Sequence, residues 1–423
     1  MNTLILRALP GSLILALTIT LAVLPAASGQ TYLIQTLPPP LAIGNSIGFG
    51  INEAGVVVGV GRGSSNFARA LRWTNDTPTE LGVLTGFSVS AAHSISNNDR
   101  VVGRSGPSCN AALPTLWEAG QIIALPDVPG LAVEVYKIND AGIAVGEGMD
   151  SCTDFWNNHA FQWQNDGEGN WTVSPLPPLD GDLESGAYDV NAANVVVGFS
   201  GDSGSVAHVR ACRWDNGIAS LIPDLGGDYS IGYALNDMGQ FAGYSRTPGG
   251  AYRAYFSDGI TATDLGTLPG YAHSAAERMN NAGTVIGFAF NGDSEDTTYP
   301  YFFPNSNHRA FVWRNGVLHD LNNLIPPGSG WTSLNAALDI NELGQITGYG
   351  VVAGQNRGFR LSPVWPGDLN CDLRVTLEDI PHFVDALLAT GFTGCDINRA
   401  DMNQDGLING RDMQSFVIAL LAA

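Results

Sequence analysis

The sequence predicts a mainly β chain: a seven-bladed β-propeller closed by its own N-terminal strand, followed by a small α-helical domain. Three observations predict it. A short motif, clearest as Gly50-Ile51-Asn52-Glu53-Ala54-Gly55-Val56-Val57-Val58-Gly59, recurs seven times, with its first polar residue at Asn52, Ser96, Asn139, Asn191, Asn236, Asn280 and Asn341. The spacings of 44, 43, 52, 45, 44 and 61 residues leave room for four short strands of alternating polarity per unit, a propeller-like period. After residue 363 the pattern gives way to two acidic twelve-residue loops, each leading into an apolar helical run, in register at an offset of 33 residues.

Residues 1–29 read as a secretory signal, with Arg7 ahead of an apolar Leu13-to-Leu24 core and small residues at Ala26-Ala27-Ser28-Gly29. No later run reaches membrane-spanning length, so the mature chain is expected to be exported and soluble. Residues 30–363 carry the repeats. In every copy a Gly, Asn or Asp stands three residues after the first polar residue (Gly55, Asp99, Gly142, Asn194, Gly239, Gly283, Gly344). These residue types tolerate positive φ, which predicts a tight hairpin closed by a G1-type bulge. The seventh unit runs out after Gly358-Phe359-Arg360-Leu361. Tyr32 to Pro38 resembles the fourth strand of other units, so the first strand is expected to complete the last blade. The inner strand of each blade should be the one entering the Asn turn, and the repeated Trp73, Trp117, Trp163, Trp214 and Trp313 should pack between blades.

Two units exceed the period between their second and third strands. Met149 to Asn158 carries Trp156, and Phe290 to Asn307 carries Tyr299, Tyr301, Phe302 and Phe303. Equivalent loops leave a propeller on one face, so these aromatics mark the candidate ligand face. His93 and His273 read as loop residues ahead of first strands, and Gly201-Asp202-Ser203-Gly204 as a turn rather than a protease nucleophile segment. No residue is assigned a catalytic role.

The first acidic loop offers Asp368, Asn370, Asp372, Arg374, Thr376 and Asp379, and the second Asp401, Asn403, Asp405, Leu407, Asn409 and Asp412. Oxygen side chains at positions 1, 3, 5, 9 and 12, with a backbone carbonyl at 7, have the count and spacing of a Ca²⁺ loop, giving two sites. Leu373 stands where Gly makes the sharp turn, so the first site should be strained and weaker. Cys371 and Cys395, both in this segment, are expected to pair; Cys109 with Cys152 is a further pairing, and Cys212 reads as a buried thiol. With a net charge of −21 and a single lysine, Lys137, the chain is not expected to bind nucleic acid.

The repeat units resemble the bacterial extracellular HAF repeat, whose namesake survives at His159-Ala160-Phe161. That resemblance implies a secreted propeller-like domain and no established reaction. Residues 364–423, with Gly367-Asp368 and Ala400-Asp401-Met402-Asn403-Gln404-Asp405-Gly406, resemble a type I dockerin. This implies folding around Ca²⁺ and docking to a cohesin-like domain of a scaffold or surface protein. Loop positions 10 and 11, here Leu377, Glu378, Gly410 and Arg411, would be the partner contacts. The functional expectation is a secreted or cell-surface attachment protein whose propeller presents a recognition face. The alternatives are a component of a polysaccharide-degrading system with glycoside hydrolase activity, and a structural envelope protein.

Overall fold

A computed structural model describes residues 31–41, 44–107, 112–149, 158–202, 209–292, 307–403 and 405–422. Seven four-stranded antiparallel sheets follow one another along the chain. In the first, Ser46–Ile51, Val57–Arg62, Ala68–Thr74 and Thr77–Gly82 run from the inside outward. The other inner strands are Ser90–Ile95, Ala132–Ile138, Glu184–Val190, Ser230–Leu235, His273–Met279 and Trp331–Ile340. The last sheet takes Tyr32–Leu37 as its outer strand, paired in register from Tyr32 opposite Pro363 to Leu37 opposite Gly358. The first strand thus closes the ring. Its Leu37 packs on Ile51, Leu71 and Trp73 of the first blade, while Tyr32 joins a core shared by the sixth and seventh blades. One strand therefore bonds one blade and packs on its neighbours.

The recurring glycines now have two separate causes. Gly55, Asp99, Gly142, Asn194, Gly239, Gly283 and Gly344 all lie at φ between 62° and 80°, the left-handed region that the G1-type turn requires. The second position, seven residues after the first polar residue of each copy (Gly59, Gly103, Gly146, Gly198, Gly243, Gly287 and Gly348), has ordinary φ. There a Cβ would run into the carbonyl oxygen of the inner strand, for example Ile47 against Gly59 and Ala275 against Gly287. Each inner strand carries a bulge at that level, and the bulge brings the two backbones too close for any side chain.

The Asn of the motif has its own cause. Its Oδ1 accepts the N–H four residues on, as from Val56 to Asn52 at 3.0 Å and Gln345 to Asn341 at 2.8 Å. Ser96 does the same with its hydroxyl toward Arg100. The Asn Nδ2 then donates to the carbonyl of the next blade's Asn: 139 to 191, 191 to 236, 236 to 280, 280 to 341 and 341 to 52. The following residue builds a second belt. Glu342 N–H donates to Glu53, Glu53 to Asn97, Asn97 to Asp140, Ala192 to Asp237, Asp237 to Asn281 and Asn281 to Glu342. The gap falls where Ala192 has no acceptor to offer Asp140. The motif therefore ties blades to one another as well as closing each hairpin.

Trp73, Trp163 and Trp214 are buried, and each indole N–H donates to a carbonyl in the connection before its blade, Pro38, Pro126 and Pro177. This is the expected packing role. His93 and His273 are not loop residues. His93 sits at the bulge of the inner strand Ser90–Ile95, and His273 begins the inner strand His273–Met279, where it pairs with Phe290.

Candidate functional site

The two acidic loops fold in the same way at the 33-residue offset. In the first, the N–H of Asp372 donates to Asp368 (3.1 Å) and Asn370 (3.0 Å), and that of Arg374 to Asp372 (2.9 Å). In the second, Asp405 N–H donates to Asp401 (3.1 Å) and Asn403 (3.0 Å), and Leu407 N–H to Asp405 (2.9 Å). The twelfth-position carboxylates are fully buried. Asp379 accepts from Leu369, Asn370 and Thr376; Asp412 accepts from Asn403 and Asn409. Each loop is thereby curled back on the carboxylate that begins its helix. Thr376 and Asn409, at position 9, accept from Glu378 and Arg411 N–H as the helix is entered. Among the described residues, no three His, Cys, Asp or Glu side chains are drawn together into a metal-ligand group; the carboxylates face backbone N–H groups.

Leu373 sits at φ 70° and its counterpart Gly406 at 84°. A left-handed leucine costs about 1–2 kcal/mol, the strain expected of the first loop. The loops differ in a second way that sequence reasoning missed. Asp368 is fully buried and paired with Arg399, Nη1 to Oδ2 at 2.6 Å, whereas among the described residues the second loop's Asp401 takes backbone N–H groups alone, from Asp405 and Gly406. Arg399 lies just ahead of loop 2, and its equivalent ahead of loop 1 is Pro366, so no within-loop pattern could have announced the contact.

Helices α1 (Ile380–Leu388) and α2 (Asp412–Ala422) follow the loops. Phe383 and Phe416, again 33 apart, stack at 3.9 Å over a small core with Leu369, Ala386 and Ala400. Cys371 and Cys395 form a disulfide, and Cys212 is a buried free thiol. Leu377, Glu378, Gly410 and Arg411 are all exposed, as are Leu388 and Leu421 at 65% and 75%. The structure thus brings both loops and these four exposed residues, expected from sequence as partner contacts, into one module. Trp156, Tyr299, Tyr301, Phe302 and Phe303 of the candidate ligand face, and Cys109 and Cys152, lie outside the described residues.

On the propeller axis the inner-strand bulges place Phe49, His93, Tyr136, Tyr188 and Tyr233 in consecutive ring contacts of 4.7–5.7 Å. Glu277 takes the same register position in the sixth blade. Burial pushes its carboxyl up to about 7 and does the same to Glu147, which accepts from Tyr136 at 2.8 Å and Tyr188 at 3.3 Å. Burial, reinforced by Arg104, holds His93 down at about 3, so it is neutral and its Nδ1–H donates to the Val135 carbonyl. One layer toward the Asn turns, Lys137 reaches Asp339 at 3.4 Å, and Arg278 donates to the Tyr233 carbonyl at 2.9 Å. Above them opens a depression of 270 Å³, rimmed by Glu53, Asn97, Asp140, Asp237 and Glu342. Those rim side chains already hold the inter-blade belt, which accounts for their acidity without a ligand.

Comparison with known protein families and with curated proteins finds no match. Solved structures similar to the chain include the β-propeller domain of the trilobed protease from Pyrococcus furiosus (10% identity, TM-score 0.44, 78% of this chain and 93% of that one). A gluconolactonase from Xanthomonas campestris matches at 10% identity and TM-score 0.37, over 80% of this chain and 97% of that one. TolB from Acinetobacter baumannii matches at 12% identity and TM-score 0.40, over 73% and 63%. The fold is a seven-bladed β-propeller, and these neighbours differ in function. No helix among the described residues is long and apolar enough to cross a membrane.

Proposed function

We propose that this chain is a secreted attachment protein in which a calcium-dependent, dockerin-like module docks to a cohesin-like partner and carries a HAF-type propeller as its recognition domain. The observation that supports it is the double loop. Two twelve-residue segments repeat the same turn-by-turn hydrogen bonding, end on a buried aspartate and launch helices whose Phe383 and Phe416 meet face to face. The donor set suits a hard divalent cation, because it is oxygen only, with three carboxylates in each loop. In loop 2, Asp401, Asn403, Asp405, Asn409 and Asp412, with the Leu407 carbonyl, would hold it. Loop 1 offers Asp368, Asn370, Asp372, Thr376 and Asp379, with the Arg374 carbonyl. The ion would supply charge compensation and cross-link the turn; the chain's residues set the helix directions and the exposed Leu388 and Leu421 surface. The propeller's aromatic-bearing long loops remain the recognition face of this reading, with polysaccharide as one class of ligand.

The test is capture of extracellular proteins from the same cells by the immobilised full chain, with and without Ca²⁺. Retention of one cohesin-like protein in Ca²⁺, lost on chelation and in Leu388→Asp/Leu421→Asp, is expected. Capture that ignores both calcium and these substitutions would refute the proposal.

A further inference from the structure

We infer that Arg399 is the built-in counter-cation of loop 1, so that loop 2 alone is the high-affinity calcium site of the chain. This deepens the calcium reading and rests on it. The two loops are alike in backbone and donor type, and they differ at one charged contact. Asp368 is fully buried, and Arg399, 6% exposed, donates from Nη1 both to its Oδ2 (2.6 Å) and to its carbonyl (3.0 Å). Arg399 also approaches Asp396 at 3.9 Å, and its own carbonyl accepts the Gly367 N–H. The guanidinium is thus held on the first ligand position through Nη1, and the Gly367 N–H anchors the backbone that carries it.

Loop 1 offers the candidate-ligand carboxylates Asp368, Asp372 and Asp379, and this buried arginine contacts the first of them. Loop 2 has Asp401, Asp405 and Asp412, and among the described residues no arginine makes a hydrogen bond or ion pair to Asp401. Calcium affinity follows the number of ligand charges and the rigidity of the turn. A buried cation touching one ligand both removes a charge and repels the incoming dication, at a low effective dielectric where screening is weak. The left-handed Leu373 acts in the same direction. Together these should separate the two sites by about a hundredfold or more in affinity. Loop 1 then serves as a turn locked by a side chain, and loop 2 as the turn that responds to the metal.

Native mass spectrometry and calorimetry of the full, disulfide-intact chain titrated with CaCl2 read this directly. The wild type should bind one Ca²⁺ before a second is detectable. Arg399→Gln should take up the second ion at a markedly lower concentration than the wild type does, Arg399→Lys should remain at one, and Asp405→Asn should lose the tight ion. Two ions of equal affinity in the wild type, a tight ion that survives Asp405→Asn, or a folded Arg399→Gln that still binds one, overturns the inference. No calcium bound by the wild type at millimolar concentration would instead refute the calcium reading itself, so the two failures are distinct.

Discussion

Tyr32→Ala/Leu37→Ala should loosen the ring at its seam while leaving the other blades intact. Both side chains are buried, at 2% and 0% exposure, in two different apolar clusters. Large-to-small truncation costs about 2–5 kcal/mol for a buried leucine and about 3–5 for a buried aromatic ring. Separate clusters make the two losses roughly additive, so the double variant should lose about 6–8 kcal/mol. A propeller spanning residues 30–363 with an unfolding entropy of about 2.1 cal/mol/K per residue loses about 10 °C for that change. The assay is differential scanning calorimetry against Leu33→Ala, whose side chain points to solvent at 47% exposure and should shift melting by less than about 1 °C. If the double variant melts with the Leu33 control, Tyr32–Leu37 does not clasp the ring.

Asn236→Ala removes both the cap on the Gln240 N–H and the Nδ2 bond to the Asn280 carbonyl, and should cost about 2–3 kcal/mol. Asn236→Ser keeps the cap and should recover about half in urea unfolding; equal losses would deny the inter-blade bond. Glu147 is held up to about 7 by burial, so the buried acid is fully tolerated below the unfolded carboxylate range. Stability is then lost as pH rises from about 4.5 through 7, by at most about 3 kcal/mol. Glu147→Gln should flatten that slope, and an unchanged pH profile would contradict the assignment. Leu373→Gly should relieve the left-handed strain and add about 1 kcal/mol to the module, read by hydrogen exchange across residues 367–390; no added protection would mean the leucine is unstrained.

The ring, its seven units, the closing strand and the inner-to-outer strand order were legible because each depends on local periodicity and turn chemistry. Alternating polarity and a positive-φ residue suffice for that. The reasons behind the repeat were less legible. Gly59 and its counterparts look like turn glycines, yet they answer to a bulge on the neighbouring strand. Asn139, Asn191, Asn236, Asn280 and Asn341 look like hairpin residues, yet their Nδ2 groups donate to the next blade. The axial polar groups were missed altogether, since Lys137 and Asp339 are 202 residues apart and meet only when the ring closes. In the C-terminal module the duplication, its 33-residue offset and the matching turns of the two loops could be read from spacing. The Arg399–Asp368 pair could not, because it joins the two halves of a duplication at a place where they differ.

Limited proteolysis of the full chain with and without a chelator tests most directly the proposal that the C-terminal module is a calcium-responsive attachment device. The account predicts that cleavage within residues 400–422 appears on chelation and is suppressed by Ca²⁺, while residues 31–363 keep one digestion pattern throughout. Identical cleavage of the module in both conditions would contradict it.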